Sequence, residues 1–298
     1  MSSTEAKKHP CPDCSFCQWC SDDRCALCLR TDSCHRKKLS VAEQIARYEE
    51  VNRKSHPKWG TEETEDILRE YDLKIIQPKN GYRFCIDPVL LSEFAGVEAL
   101  KILDLGTGCG IIPLIMARKS AEAKAVGVEF QAEMVSFARR NVAGNNLSAK
   151  VEIIEADIMA LKGRLEPEGF DLVLSNPPYR KPGEGKTSPK AGRDLARHES
   201  TATLADFLAA AKRLVKPGGS VCMIYHPERL AEMIAESLNL KLCPVRLQMV
   251  HGNYSLPARI FMIELLKGKK RALEVLPPIA VREPTCGEKL QAGLKRER

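Results

Sequence analysis

The stretch KILDLGTGCG, residues 101–110, places three glycines at alternate positions directly after a short apolar run. The apolar run predicts a buried parallel strand. The glycines permit a tight turn whose backbone a ligand can approach closely. A helix is predicted over Ile111–Lys119, immediately after the turn. This strand, turn and helix unit is typical of an α/β sheet with a ligand at its carboxyl edge.

The spacing of the glycines restricts the ligand. A dinucleotide-binding turn needs G-x-G-x-x-G, whereas here the third glycine comes one residue early and position 111 is Ile. The spacing therefore argues against NAD or FAD and favours a smaller ligand without a pyrophosphate, such as S-adenosylmethionine. The candidate cofactor-binding residues of the turn are Asp104, Gly106, Thr107, Gly108 and Gly110.

Two further predicted strands end in acidic residues. The strand Lys124–Glu129 ends in Glu129, at a position where an acid accepts hydrogen bonds from a ribose diol. The strand Val151–Asp157 ends in Asp157, which can accept a hydrogen bond from the amino group of a cofactor adenine. A solvated acid at a strand end is the alternative interpretation. If both bind cofactor, they extend the site along one edge of the sheet.

The stretch SNPPY, residues 175–179, follows another apolar run, over residues 170–174. Two prolines cannot continue a strand, so Asn176 is expected at the carboxyl edge of the sheet. Its side-chain oxygen and the Pro177 carbonyl can accept hydrogen bonds from the two N–H groups of an amine on a flat ring, while Tyr179 stacks on that ring. A plain Pro-Pro turn is the alternative. The candidate catalytic residues are Asn176, Pro177, Pro178 and Tyr179, and Asn176 is also a candidate cofactor contact.

Taken together, the Asp104–Gly110 turn, Glu129, Asp157 and Asn176–Tyr179 resemble the successive motifs of class I S-adenosylmethionine-dependent methyltransferases that modify amino groups. The similarity is closer to the bacterial valine-tRNA adenine-N6 methyltransferases. Three further segments fit that branch, QPKNGYRFCIDPVLL at 77–91, ARHE at 196–199 and RIFMIE at 259–264. Position 88 departs from it, because Pro stands where that family often has Ser. The resemblance covers about residues 72–268.

The resemblance implies an α/β, Rossmann-like class I methyltransferase fold, in which a doubly wound seven-stranded sheet ends in an antiparallel hairpin. The alternation of predicted strands and helices along the chain also indicates a doubly wound sheet. The implied reaction is methyl transfer to N6 of an adenine beside a tRNA anticodon, so the implied partner is RNA, and tRNA in particular. Alternatives are N5-methylation of a protein glutamine, N2-methylation of an rRNA guanine, and a metal-dependent RNA-binding adaptor with an inactive methyltransferase body.

Four segments are expected along the chain. Residues 1–38 form a small Cys-rich metal-binding module, and residues 39–72 form a helical linker that includes a short helix over 62–71. Residues 73–268 form the methyltransferase domain, which opens with short strands at 74–77 and 82–85 around an Asn-Gly turn. Residues 269–298 form a basic tail that is expected to be mobile.

The net charge is +7, and a basic loop follows the SNPPY turn. Between Arg180 and His198 there are six Lys or Arg residues and two Asp or Glu residues. Such a loop suits a phosphate backbone, although a solvated surface loop has the same composition. The candidate substrate-binding residues are Arg180, Lys181, Arg197 and His198. Aromatic residues make up only 5% of the chain, which disfavours extensive base stacking.

The amino-terminal segment carries seven cysteines and an adjacent histidine. These candidate metal ligands are Cys11, Cys14, Cys17, Cys20, Cys25, Cys28, Cys34 and His35. So dense a cluster indicates metal binding, and eight ligands suffice for two tetrahedral Zn²⁺ sites. An iron–sulfur cluster is one alternative, because the first four cysteines follow the three-residue spacing of such ligands. Unmetallated thiols are the other alternative.

The chain has no apolar run of about 18 residues, so no membrane contact is expected. The first ten residues lack the apolar core of a signal peptide. Twelve cysteines without an export signal favour the reducing cytoplasm. The sequence gives no indication of an oligomeric state.

Overall fold

A nine-stranded sheet forms the centre of the computed structural model, which describes residues 63–79, 85–96, 98–177 and 202–281. The described strands are β1 (Glu63–Leu68), β2 (Leu73–Pro78), β3 (Lys101–Leu105), β4 (Lys124–Glu129), β5 (Val151–Glu155), β6 (Phe170–Ser175), β7 (Val215–Tyr225), β8 (Leu242–His251), β9 (Ala258–Lys267), β10 (Glu274–Val275) and β11 (Ile279–Ala280). The described α-helices are α1 (Asp87–Phe94), α2 (Ile111–Lys119), α3 (Ala132–Gly144), α4 (Leu204–Leu214) and α5 (Leu230–Asn239).

The strand order across the sheet is β10, β8, β9, β7, β6, β3, β4, β5, and β11 also pairs with β8. The pairs from β5 through β4, β3 and β6 to β7 are all parallel. Within the described sheet only β9 runs antiparallel to its neighbours, β7 and β8. The order reverses beside β3, so the carboxyl ends of β3 and β6 meet at a topological switch point, where such sheets bind ligands. The doubly wound sheet with a final antiparallel hairpin is confirmed.

The predicted number of seven strands is wrong, because the segment after β9 adds two short strands to the edge. Both β10 and β11 lie parallel to β8. The Leu276 N–H donates to the Leu247 carbonyl, and the Val281 N–H donates to the His251 carbonyl, each at 2.8 Å. Two-residue strands are too short to show a period in the sequence, so composition alone favoured a mobile tail.

Residues 63–68 form a strand where the sequence analysis predicts a helix. β1 pairs antiparallel with β2 from Glu63 opposite Pro78 to Leu68 opposite Leu73. The chain reverses at Asp72, whose φ of 50° lies in the left-handed region. β2 therefore pairs with the segment that precedes it. Of the second predicted strand, Cys85 is not in a strand, and residues 82–84 lie outside the described residues.

Helices cover both faces of the sheet, and the sheet separates two buried apolar clusters. One buried cluster contains Ile102 of β3 and the apolar sides of α1, α2 and α3. The other contains Leu103 and Leu105 of β3 and the apolar side of α4. Alternate side chains of a strand point to opposite faces, so Asp104 lies on the same face as Ile102, under the helices that follow the glycine turn.

Several predicted segments lie outside the described residues. These are the Cys-rich module at 1–38, most of the linker, and the tail from 282 onward. Among the helices that are described, none combines the length and hydrophobicity needed to cross a bilayer.

Candidate active site

The glycine turn joins β3 to α2 and depends on three left-handed residues. Gly106, Gly108 and Gly110 have φ of 78°, 57° and 87°, a region that disfavours any side chain. The N–H groups of Gly106 and Thr107 both donate to the Val128 carbonyl at 2.9 Å, which fixes the turn against β4. A Cβ on Gly110 would lie 3.3 Å from the Ala138 Cβ on α3. The D-x-G-x-G-x-G spacing is therefore explained by the left-handed backbone conformation at each of the three glycines.

Asp104 is a buried carboxylate at the end of β3. Its side chain has 0% exposure, and neither oxygen has a partner in the described part of the chain. Burial raises the pKa of Asp104 to about 7, the nearby Thr107 hydroxyl opposes the shift, and the charge of Glu129 adds to it. An uncompensated buried carboxylate is costly. A cationic partner that reached Asp104 would offset this cost.

Glu129 is also buried, but backbone groups already hold its carboxylate. Oε2 accepts from the Gly108 N–H at 2.8 Å, and Oε1 accepts from the N–H groups of Phe130 and Gln131 at 2.9 Å. Burial raises the pKa of Glu129, and the N–H donors oppose that shift. Glu129 thus anchors the glycine turn to the end of β4, a role that the sequence analysis missed. An ionised carboxylate offers about four acceptor positions, so capacity for one more donor remains.

Asp157 lies two residues beyond the strand that was predicted to end in it, because β5 ends at Glu155. Its Oδ1 accepts from the Met159 N–H at 2.9 Å and caps a short 3₁₀ helix, Ile158–Ala160. Asp157 is half-buried. It lies at the carboxyl edge of the sheet, because it follows the end of β5 by two residues.

Two exposed apolar side chains lie beside these acids. Phe130 directly follows β4 and is 51% exposed, and Met159 follows Asp157 and is 60% exposed. The two chain segments are adjacent, since the Ala156 N–H donates to the Glu129 carbonyl at 2.9 Å. Their signal in the sequence is an apolar residue one position after Glu129 and two positions after Asp157.

β6 ends beside the glycine turn, as predicted. The Ser175 Oγ donates to the Leu105 carbonyl at 2.7 Å, which ties the end of β6 to the end of β3. Asn176 is half-buried and Pro177 is buried. The remaining candidate residues lie outside the described residues; they are Pro178, Tyr179, Arg180, Lys181, Arg197 and His198.

A pocket opens between the glycine turn and Asn176. Its lining residues are Pro88, Gly106, Thr107, Gly108, Cys109, Ile111, Ile112 and Asn176. The pocket thus unites residues from two motifs that are about 70 positions apart in the sequence. It also includes Pro88, from the segment in which the chain departs from the family it resembles.

Gly127 in β4 packs against the glycine turn, a role that the sequence analysis missed. A Cβ there would lie 2.9 Å from Oγ1 and Cγ2 of Thr107 and 2.9 Å from Cδ1 of Ile153. The absence of a side chain at 127 therefore makes room for Thr107 in the turn. No periodic signal marks this glycine, because the contact depends on the pairing of β3 with β4.

We expect Gly127→Ala to displace Thr107 and to destabilise the fold by about 1–3 kcal/mol, the usual cost of overpacking. Ligand binding at the turn should weaken as well, measured by isothermal titration. The matched control is Gly144→Ala, at the end of α3, where a Cβ would meet nothing within 4 Å. That change should leave stability equal or raise it by up to about 1 kcal/mol. Equal behaviour of the two variants would contradict the packing role.

The predicted metal ligands, from Cys11 to His35, lie outside the described residues. Within the described ranges, no three His, Cys, Asp or Glu side chains come together as a metal site.

Known proteins are similar to this chain over most of the described residues. A family model described as a methyltransferase domain matches residues 97–274. The tRNA1(Val) (adenine(37)-N6)-methyltransferase of Porphyromonas gingivalis is 31% identical over 189 residues, which cover 61% of this chain and 73% of that relative. Its namesake from Shewanella halifaxensis is 35% identical over 166 residues, which cover 55% of this chain and 66% of the relative.

A solved structure described as a predicted O-methyltransferase from Agrobacterium tumefaciens is 25% identical, with a TM-score of 0.53. The match covers 69% of this chain and 92% of that protein.

Proposed function

Because the chain belongs to the class I S-adenosylmethionine-dependent methyltransferases, we propose that it methylates N6 of an adenine in tRNA, next to the anticodon. The observation that carries this proposal is the position of Asn176, which lines one pocket with the glycine turn at the carboxyl edge of the sheet. The names of the relatives from P. gingivalis and S. halifaxensis favour adenine in tRNA over other amines.

The residues around the turn fit the methyl donor. S-adenosylmethionine supplies a methyl group on a sulfonium, and it carries an ammonium group, a ribose and an adenine ring. Asp104, whose buried oxygens have no partner among the described residues, would receive the ammonium group. Glu129 already accepts three backbone N–H groups, and its remaining acceptor position would accept a hydrogen bond from a ribose hydroxyl.

The adenine ring of the donor would lie at the ends of β4 and β5. The exposed side chains of Phe130 and Met159 offer it apolar surface. Asp157 uses one carboxylate oxygen as a cap, so the second can accept from the adenine amino group. The edge therefore supplies one type of contact for each part of the donor.

The acceptor side would use neutral oxygens. In an exocyclic amine the nitrogen lone pair is conjugated with the ring, which makes it a poor nucleophile. The Asn176 side-chain oxygen and the Pro177 carbonyl would accept hydrogen bonds from its two N–H groups and draw the lone pair out of conjugation. As the methyl group passes from sulfur to nitrogen, the sulfonium becomes a neutral thioether and the methylated nitrogen loses one proton to solvent. Because the donor already contains a good leaving group, positioning and neutral acceptors suffice and no strong base is needed. Pro178 would keep the turn rigid, and Tyr179 would stack on the target ring.

The RNA would be held by the basic loop after this turn. Arg180, Lys181 and Arg197 supply positive charge after the catalytic motif in the sequence, and His198 supplies a further polar group. An adenine in a single-stranded loop costs least to extrude into a pocket. Both features favour an RNA loop over a protein glutamine.

Methyl transfer to three substrates tests the proposal. The purified protein would be incubated with methyl-labelled S-adenosylmethionine and total tRNA, rRNA or a release factor. We expect label in tRNA alone, recovered as N6-methyladenosine after hydrolysis. Label in rRNA guanine or in a glutamine of the release factor would overturn the RNA target. No transfer to any substrate would indicate an adaptor with an inactive body.

We also propose that the seven cysteines between positions 11 and 34, with His35, bind Zn²⁺. The support is the density of thiol ligands in a segment with few apolar residues, which metal would have to stabilise. Elemental analysis should find up to two zinc ions per chain, the maximum for eight ligands. Visible absorption together with bound iron and sulfide would instead assign an iron–sulfur cluster.

A further inference from the structure

Two asparagines of α3 pair with β2 as a neighbouring strand would. The Asn141 Oδ1 accepts from the Ile76 N–H at 2.7 Å, and its Nδ2 donates to the Ile76 carbonyl at 2.9 Å. The Asn145 Oδ1 accepts from the Lys74 N–H at 2.8 Å, and its Nδ2 donates to the Lys74 carbonyl at 2.7 Å. Four helical residues span about 6 Å and two strand residues about 6.6 Å, so the two spacings match. These amides dock the β1–β2 hairpin on α3.

Asn141 and Asn145 differ in the group to which the second hydrogen of the side-chain amide is donated. The second Nδ2 hydrogen of Asn141 donates to the Cys109 carbonyl, in the glycine turn, at 2.9 Å. That of Asn145 donates to the Asn141 carbonyl, in its own helix, at 2.8 Å. Asn141 and Asn145 are 1% and 4% exposed, so water does not replace these bonds readily. Of this pair, only Asn141 connects the hairpin to the glycine turn.

The contact fixes one peptide of the turn from both sides. The carbonyl of Cys109 and the N–H of Gly110 belong to the same planar unit. The carbonyl accepts from Asn141, and the N–H donates to the Thr107 carbonyl at 3.0 Å. The preceding Gly108 N–H is held by Glu129. Rotation of this peptide would move the backbone that lines the pocket.

We propose that Asn141 is a positioning residue of the methyl-donor site, one that holds the Cys109 peptide in its binding geometry before the donor arrives. The inference rests on the proposed donor site at the glycine turn. The bond to the Cys109 carbonyl carries this role, whereas both asparagines dock the β1–β2 hairpin. Preorganisation of a binding loop increases affinity by removing the cost of ordering it.

The test compares Asn141→Asp with Asn145→Asp. Each change preserves side-chain size and the acceptor for the β2 N–H, but it replaces both donors by a carboxylate facing carbonyl groups. Both variants should therefore have a lower Tm. Only Asn141→Asp should weaken binding of S-adenosylhomocysteine, by about tenfold or more, equivalent to the loss of one net hydrogen bond. Asn145→Asp should stay within about threefold of the wild type. The measurements are isothermal titration and thermal unfolding of the full chain.

Asn141→Ala and Asn145→Ala form a second pair in case the Asp variants fail to fold, and the same difference in Kd is expected. Equal Kd values for the 141 and 145 variants of either pair would overturn the positioning role while leaving the donor site intact. If the wild-type protein itself fails to bind S-adenosylhomocysteine, the proposed donor site is wrong and the inference is overturned with it.

Discussion

Asn176→Ala should reduce kcat by at least roughly 10²–10³-fold, the cost of removing one oriented polar group from a transition state. The donor Kd should stay within about threefold of the wild type, because the donor's proposed contacts lie on the glycine turn and the ends of β4 and β5. The physical reason is that an alanine methyl cannot accept a hydrogen bond from the amine. The lone pair of the amine would then stay conjugated with its ring. Single-turnover methyl transfer and donor titration on the same preparation measure both quantities.

Ser175→Ala is the matched control for that variant. It removes the hydrogen bond from the Ser175 Oγ to the Leu105 carbonyl. The loss should lower stability by about 1–3 kcal/mol, because a buried acceptor is left unpaired. It preserves the acceptor oxygens at 176 and 177, so methyl transfer should persist. If Asn176→Ala retained wild-type turnover, the proposed grip on the target amine would be wrong.

Asp104→Asn should weaken donor binding by roughly 100-fold or more, because removing one partner of a buried ion pair costs about 3–5 kcal/mol. The same change should stabilise the donor-free protein at pH 8 by roughly 5 °C in Tm, because it removes a buried charge with no partner in the described residues. Opposite signs for affinity and stability distinguish a ligand-binding carboxylate from a structural one. Titration with S-adenosylhomocysteine and thermal unfolding without ligand provide the two readouts.

The pH dependence of the wild-type protein follows from the same carboxylate. The pKa of Asp104 rises from 3.8 to about 7 in the folded protein. Its buried charge therefore costs stability progressively as pH rises from about 4 to about 7, and the full cost persists above that range. A bound ammonium group favours the ionised form, so binding below pH 7 must release a proton. The donor Kd should increase by up to about tenfold per pH unit below 7, and Asp104→Asn should lack this dependence.

Asp171→Asn supplies the contrasting case at the opposite edge of the sheet. The Asp171 Oδ2 accepts from the N–H groups of Leu100 and Lys101, and its carboxylate pairs with Lys216. Burial acts to raise the pKa of Asp171, but Lys216 and the two N–H donors lower it on balance. The variant should lose stability, most visibly above pH 4, with an unchanged donor Kd. If Asp104→Asn behaved in the same way, Asp104 would be a structural residue.

The glycine turn and the end of β6 could be predicted because their signals are local. Three left-handed positions require glycine at 106, 108 and 110 whatever surrounds them. Two prolines end β6 at Ser175 without reference to the rest of the chain. Parallel strands then bring both ends to one edge, so the pairing of the turn with Asn176 followed from the order of elements.

The β1 strand was mispredicted because its partner decides its conformation. Residues 63–68 carry a short amphipathic pattern that a helix could also use. Their pairing with β2, itself held by Asn141 and Asn145, makes the strand the stable form. β10 and β11 were missed for the same reason. Each consists of two residues whose strand pairing, in the described structure, is with the edge of β8.

Local sequence patterns were enough to predict the alternation of strands and helices from β3 to β9, the glycine turn, and the acids and amide that follow the strands, because each of these depends on neighbours within a few residues. Three contacts became visible from the folded chain alone: Gly127 makes room for Thr107, Glu129 anchors Gly108, and Asn141 holds the Cys109 carbonyl. These contacts join residues from 20 to 32 positions apart. They depend on strand register and helix packing, which a linear pattern does not encode.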